Sequence, residues 1–106
     1  MSNNTTLTAL SAQVLASIAD RFEDGDAGEL LFTSPVDETS YDLYACDVSG
    51  TWDIIVDDMP HDGDARLSHL PSIEAAKARV AEIIAEKILA AQTAVANAIT
   101  SGLIAA

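Results

Sequence analysis

The stretch Tyr41–Asp58, YDLYACDVSGTWDIIVDD, decides the fold. Two runs rich in aromatic and β-branched residues, Tyr41–Val48 and Thr51–Asp58, flank Ser49-Gly50, an acceptable two-residue hairpin turn. Folding the chain about that turn sets Cys46 opposite Asp53, Tyr44 opposite Ile55 and Asp42 opposite Asp57. Leu43, Ala45, Trp52, Ile54 and Val56 then share one face, assigned to the core, and Asp42, Tyr44, Asp53, Ile55 and Asp57 share the other. Like charges directly opposite one another destabilise a strand pair, so the Asp42–Asp57 pair demands a reason. Two readings are structural: a splayed, salt-screened pair, or a register shifted by a bulge. The functional reading is an outer face shaped to attract a basic partner.

Working outward, ELLFTS at Glu29–Ser34 reads as a first strand stopped by Pro35, and PVDETS as a loop. Before it, Leu7, Leu10, Val14, Leu15, Ile18 and Phe22 recur at helical spacing, with Thr5 or Thr6 as cap. The segment EDGDAGE breaks that helix at Gly25 and Gly28. Beyond the hairpin, MPHDGD is a loop and ARLSHL a candidate fourth strand. Ser72 caps a second helix with Glu74 in its first turn. Ile73, Val80, Ile84, Ile88, Val95, Ile99 and Leu103 form one stripe. Unbroken to Ile104, that helix is about 48 Å long, too long for so small a domain unless it projects, bends or packs on a partner. The last 19 residues, from Ile88, carry no charge but are too polar for a membrane span. Ala90, Ala91, Ala94 and Ala98 suit close helix packing, so residues 88–106 either pair with the first helix or form a self-association surface, as in a homodimer or a structural assembly subunit. The expected fold is one α+β domain over residues 1–106: a three- to four-stranded antiparallel meander with an N-terminal helix and a long C-terminal helix on its apolar face.

Charge is the dominant compositional feature. The chain of 106 residues has 17 acids, 5 Lys or Arg and a net charge of −12. Residues 20–64 hold 14 acids against Arg21 alone, a net −13, and the remainder carries +1. Such a field repels nucleic acid and anionic membranes and attracts basic partners. Solubility is one reading of the acids, since they keep small proteins apart. A salt-loving source is another and would spread acids over every exposed face, whereas here the C-terminal third is nearly neutral. The single Cys46 makes no internal disulfide, which fits a reducing, cytoplasmic setting, and with no base nearby it reads as a small buried thiol. The segment MSNNTTLTAL lacks the basic region and apolar run of a signal peptide.

Motifs for chemistry are missing. EDGDAGE fails the calcium-loop pattern, because the twelfth position counted from Asp24 is Pro35. His61 and His69 stand near Asp62 and Asp64, but no zinc-ligand spacing supports a metal site. No nucleophile motif, Gly-rich phosphate loop or basic patch is present, so no cofactor is expected and the protein reads as a non-enzyme. Asp57 and Asp58 form a carboxylate pair of the kind an acidic composition produces by itself.

Two resemblances bear on function. From Tyr41 to Ile88 the order is strand, turn, strand ending in VDDMP, Gly-containing turn, then LSHLPSIEAAKARVAEII as short strand and helix. This layout resembles the HicB-type antitoxins, with Asp58, Met59, Pro60 and the Glu74-Ala75 pair as matching positions. His61 stands where that family usually has Gly, and an extra helix precedes the strands. The resemblance implies a module that covers the active site of a small basic toxin. In size, charge and lack of catalytic motifs the whole chain is similar to the small acidic anti-CRISPR proteins of phages, a profile that carries over no residue. It implies an inhibitor that occupies the basic nucleic-acid-binding site of a partner as a nucleic-acid mimic. On that reading the contact residues are Asp42, Tyr44, Asp53, Ile55, Asp57, Asp58, Asp62 and Asp64.

Overall fold

The computed structural model of the chain describes residues 3–46, 50–57 and 65–104. Helix α1 (Asn3–Ile18) is followed by four strands, β1 (Glu23–Asp24), β2 (Leu30–Thr33), β3 (Ser40–Ala45) and β4 (Trp52–Val56). A 3-10 turn at Ala65–Leu67 leads to α2 (Ile73–Ala90) and α3 (Gln92–Thr100). The strands form one antiparallel sheet in sequence order. This is the expected α+β meander, with α2 packed on the sheet and α1 and α3 lying against α2.

The hairpin register differs from expectation. The pairs are Tyr41–Val56, Asp42–Ile55, Leu43–Ile54, Tyr44–Asp53 and Ala45–Trp52. The loop is four residues long, not two: the Cys46 N–H donates to Thr51 O at 2.7 Å, and the Gly50 N–H to Cys46 O at 2.9 Å. Gly50 lies at φ +70, where glycine is favoured. The register moves by two residues, so each side chain keeps its face. The predicted opposition of Asp42 and Asp57 disappears, and Asp42 faces Ile55 instead.

The fourth strand is at the other edge. Glu23 and Asp24 pair with Leu31 and Leu30, so EDGDAGE is a tight hairpin as well as a helix stop. ARLSHL forms the 3-10 turn and a single bridge, Leu70 to Trp52, where a positive φ at His69 prevents an extended run.

Tyr41, Leu43 and Ile54 are fully buried, facing Val80, Ile84 and Ile88 of α2 and Val14 and Ile18 of α1 across one core. Burying each such side chain contributes about 1.5–3 kcal/mol. Ala45, assigned to the core from its alternation, is exposed, because it lies at the last pair before the loop. Helix α1 begins at Asn3, ahead of the expected cap. Ser72 caps α2 as predicted: its Oγ accepts the Ala75 N–H at 3.1 Å.

The long C-terminal helix bends. Ala91 is extended (φ −148, ψ 132) and separates α2 from α3. An unbroken helix of about 48 Å would exceed the 41 Å longest dimension of the molecule. The break also re-phases the apolar stripe: Ala94, Ala98 and Leu103 are buried, and Ile99, predicted on the buried face, is 37% exposed. Among the described residues no helix is long and apolar enough to cross a membrane.

Candidate protein-binding face

Antiparallel alternation turns Leu30, Phe32, Tyr41, Leu43 and Ile54 inward, and Leu31, Thr33, Asp42, Tyr44, Asp53 and Ile55 to the opposite face. Glu23, Leu31, Asp42 and Ile55 form one row across the four strands, acid alternating with apolar residue. Tyr44 and Asp53 lie opposite one another in the neighbouring register. A shallow depression of about 350 Å3 on this face is lined by Glu29, Leu31, Asp42, Tyr44 and Ile55. The strands contain no Lys or Arg.

Four of the predicted contact residues, Asp42, Tyr44, Asp53 and Ile55, therefore share one half-buried surface. Two of the acids also have local structural work. Asp53 Oδ1 accepts the His69 N–H at 2.8 Å and so fixes the turn before Leu70 against β4. Asp57, at φ +54 just past β4, closes the sheet end: its Oδ1 accepts the Ser40 N–H at 2.9 Å, and its own N–H donates to Ser40 O at 2.8 Å. Asp57 is exposed but belongs to the sheet end, not to the acidic row. Asp58, Asp62 and Asp64 lie outside the described residues, as do Met59, Pro60 and His61. Burial pushes the Tyr44 phenol up, and the Asp53 carboxylate beside it pushes it further in the same direction. Tyr44 is thus a neutral, amphipathic side chain among carboxylates at neutral pH.

No family model matches the chain, and neither a curated protein nor a solved structure matches it.

Four of the five bases lie elsewhere. Arg66 pairs with Glu86 at 3.1 Å, Arg79 with Glu82 at 2.8 Å and Lys87 with Asp37 at 2.7 Å. Lys77 Nζ donates to Ala19 O at 3.0 Å over the Phe22 ring. Such surface pairs add little stability, but they leave the helical side near neutrality and the sheet side negative. The fifth, Arg21, lines a depression at the β1 edge of the sheet face with Glu23, Leu31 and Thr33.

Glu23, Glu29 and Leu31 were not among the predicted contacts. Leu31 was concealed in ELLFTS, which reads as a uniformly apolar run, although pairing with β3 puts it beside Asp42. Glu23 had no signal, because a two-residue strand leaves no periodicity. Among the described residues no group of three or more His, Cys, Asp or Glu is placed to hold a metal ion. Cys46 is half-buried at the mouth of the hairpin loop.

Proposed function

We propose that the protein is a non-enzymatic inhibitor that lays the outer face of its sheet on the basic nucleic-acid-binding site of a partner. The observation that carries this reading is the row Glu23–Leu31–Asp42–Ile55, with Tyr44 and Asp53 beside it, on strands without a single base. Carboxylates on a rigid sheet supply the negative charge that a groove built for phosphates attracts. Leu31, Tyr44 and Ile55 supply the apolar and aromatic anchors that a purely ionic surface lacks. Mimicry of this kind needs no catalytic group and no cofactor.

The informative reversals are Glu23→Lys and Asp42→Lys together, the two acids of the row. The wild-type protein, immobilised and offered host lysate at low salt, should retain a basic protein that salt elutes and that sheds its bound nucleic acid on capture. The double variant should keep its fold by circular dichroism and lose that partner. Equal retention by the variant would remove the sheet face from consideration. The antitoxin reading rests on Asp58, Met59 and Pro60, outside the described residues, and on Glu74-Ala75, which the first turn of α2 accounts for through helix capping.

A further inference from the structure

The break between α2 and α3 has no cause in the local sequence. Helices commonly end at a Gly or just before a Pro, and ILAAQTAVANAIT, Ile88–Thr100, contains neither. Ala91, at the break, has the highest helix propensity of any residue type. It is nonetheless extended, and no side chain caps the start of α3. Ending one helix and starting another leaves backbone groups outside any helical ladder, which a continuous helix would pair. What folds α3 back is tertiary packing. Ala94, Ala98 and Leu103 are buried, Asn97 Nδ2 donates to Val36 O at 2.7 Å, and Ser17 Oγ donates to Leu103 O at 2.8 Å. None of these contacts depends on which chain supplies the segment.

We propose that α3 is an exchangeable arm: two copies of the chain open at Ala91 and each inserts residues 92–104 into the place beside Val36 and Ser17 of the other. Exchange of identical elements is a low-cost route to a dimer because the closed contacts are reproduced. Two further observations favour a second copy as the occupant. Among the described residues the only large hydrophobic side chains exposed are Leu89 at 49%, two residues before the hinge, and Ile99 at 37%, in the last turn of the arm; Leu89 would be covered where two hinges cross. The chain from Ile88 onward carries no charge, so this is the end at which two molecules of net −12 meet with least repulsion.

The test is the mass of the full chain after refolding at high concentration, measured by light scattering on a sizing column. Gln92→Pro puts proline at the first residue of α3, where its fixed φ is favourable, and holds the preceding residue extended, as Ala91 already is. Ala91→Asp supplies the missing cap. Wild type should yield a dimer fraction, Ala91→Asp should lower it by roughly fivefold for each hinge, and Gln92→Pro should remove it with helix content retained. A dimer that persists in both variants is side-by-side association and overturns the proposal, as does a wild type that stays monomeric. If Gln92→Pro does not fold, the capped variant alone decides.

Discussion

Asp57 sits in the left-handed region at φ +54 and ties β4 to Ser40 through both its side chain and its backbone. Asn tolerates that region and offers the same acceptor, whereas Ala does neither. Asp57→Ala should therefore lose about 1–2 kcal/mol in urea unfolding, and Asp57→Asn less than about 0.5 kcal/mol. Lys87 does a comparable job on the opposite side of the sheet, where its ammonium donates to Asp37 at 2.7 Å, Thr39 at 3.1 Å and Tyr41 at 3.4 Å. Burial alone would raise the Asp37 carboxyl, but the Lys87 ammonium and the Thr39 hydroxyl and N–H outweigh it, and the net direction is down. Burial would lower Lys87, yet Asp37 and Tyr41 hold it above its usual range, and burial raises the Tyr41 phenol. Asp37 thus contributes fully above about pH 4 and loses its contribution as pH falls further; Lys87 and Tyr41 contribute fully below about pH 10 and lose theirs as pH rises. Lys87→Met should cost about 1 kcal/mol near neutrality, since the pair is partly exposed, and the gap from wild type should narrow at both pH extremes in urea titrations.

Single elements carry separable shares of stability. Removing the α2 cap with Ser72→Ala should cost about 1 kcal/mol. Leu103→Ala, which empties a fully buried site under α1 and α3, should cost about 2–5 kcal/mol by chemical denaturation. The elements that could be read from sequence are those with a long period. Val14 and Ile18 of α1, Val80, Ile84 and Ile88 of α2, and Leu43 and Ile54 of the hairpin stand in the core as their spacing requires. Elements set by loop geometry or by distant packing could not be read. The hairpin register depended on a four-residue loop that Ser49-Gly50 does not announce, and the two residues of β1 are too few to show alternation. The break at Ala91 runs against local propensity, so only the burial of Ala94, Ala98 and Leu103 explains it. Of the candidate face, Asp42, Tyr44, Asp53 and Ile55 were legible because a shift of two preserves the face of a strand. Glu23 and Leu31 were not, since they join the face only through pairing across the sheet.

At the scale of the whole molecule, residues 20–64 carry −13 with few bases nearby, so the folded chain repels itself. Added salt should raise the midpoint of thermal unfolding up to about 0.5 M, as screening shortens the reach of that repulsion. Glu23→Lys with Asp42→Lys should raise the midpoint at low salt while abolishing capture of the partner; loss of stability instead would mean that these acids hold the sheet together. The separation of charge has a further consequence. Among the described residues the sheet face carries an excess of negative charge, whereas Arg66, Arg79 and Lys87 each meet a carboxylate along α2, so the two sides of the molecule differ in charge. In the field of a cationic surface such a body turns before it touches, so a large share of encounters begins with the outer strands already leading. On the proposed binding mode, the association rate with a basic partner should fall steeply with ionic strength while the dissociation rate changes little, because orientation at a distance depends on long-range charge and the contacts proposed for Leu31, Tyr44 and Ile55 do not.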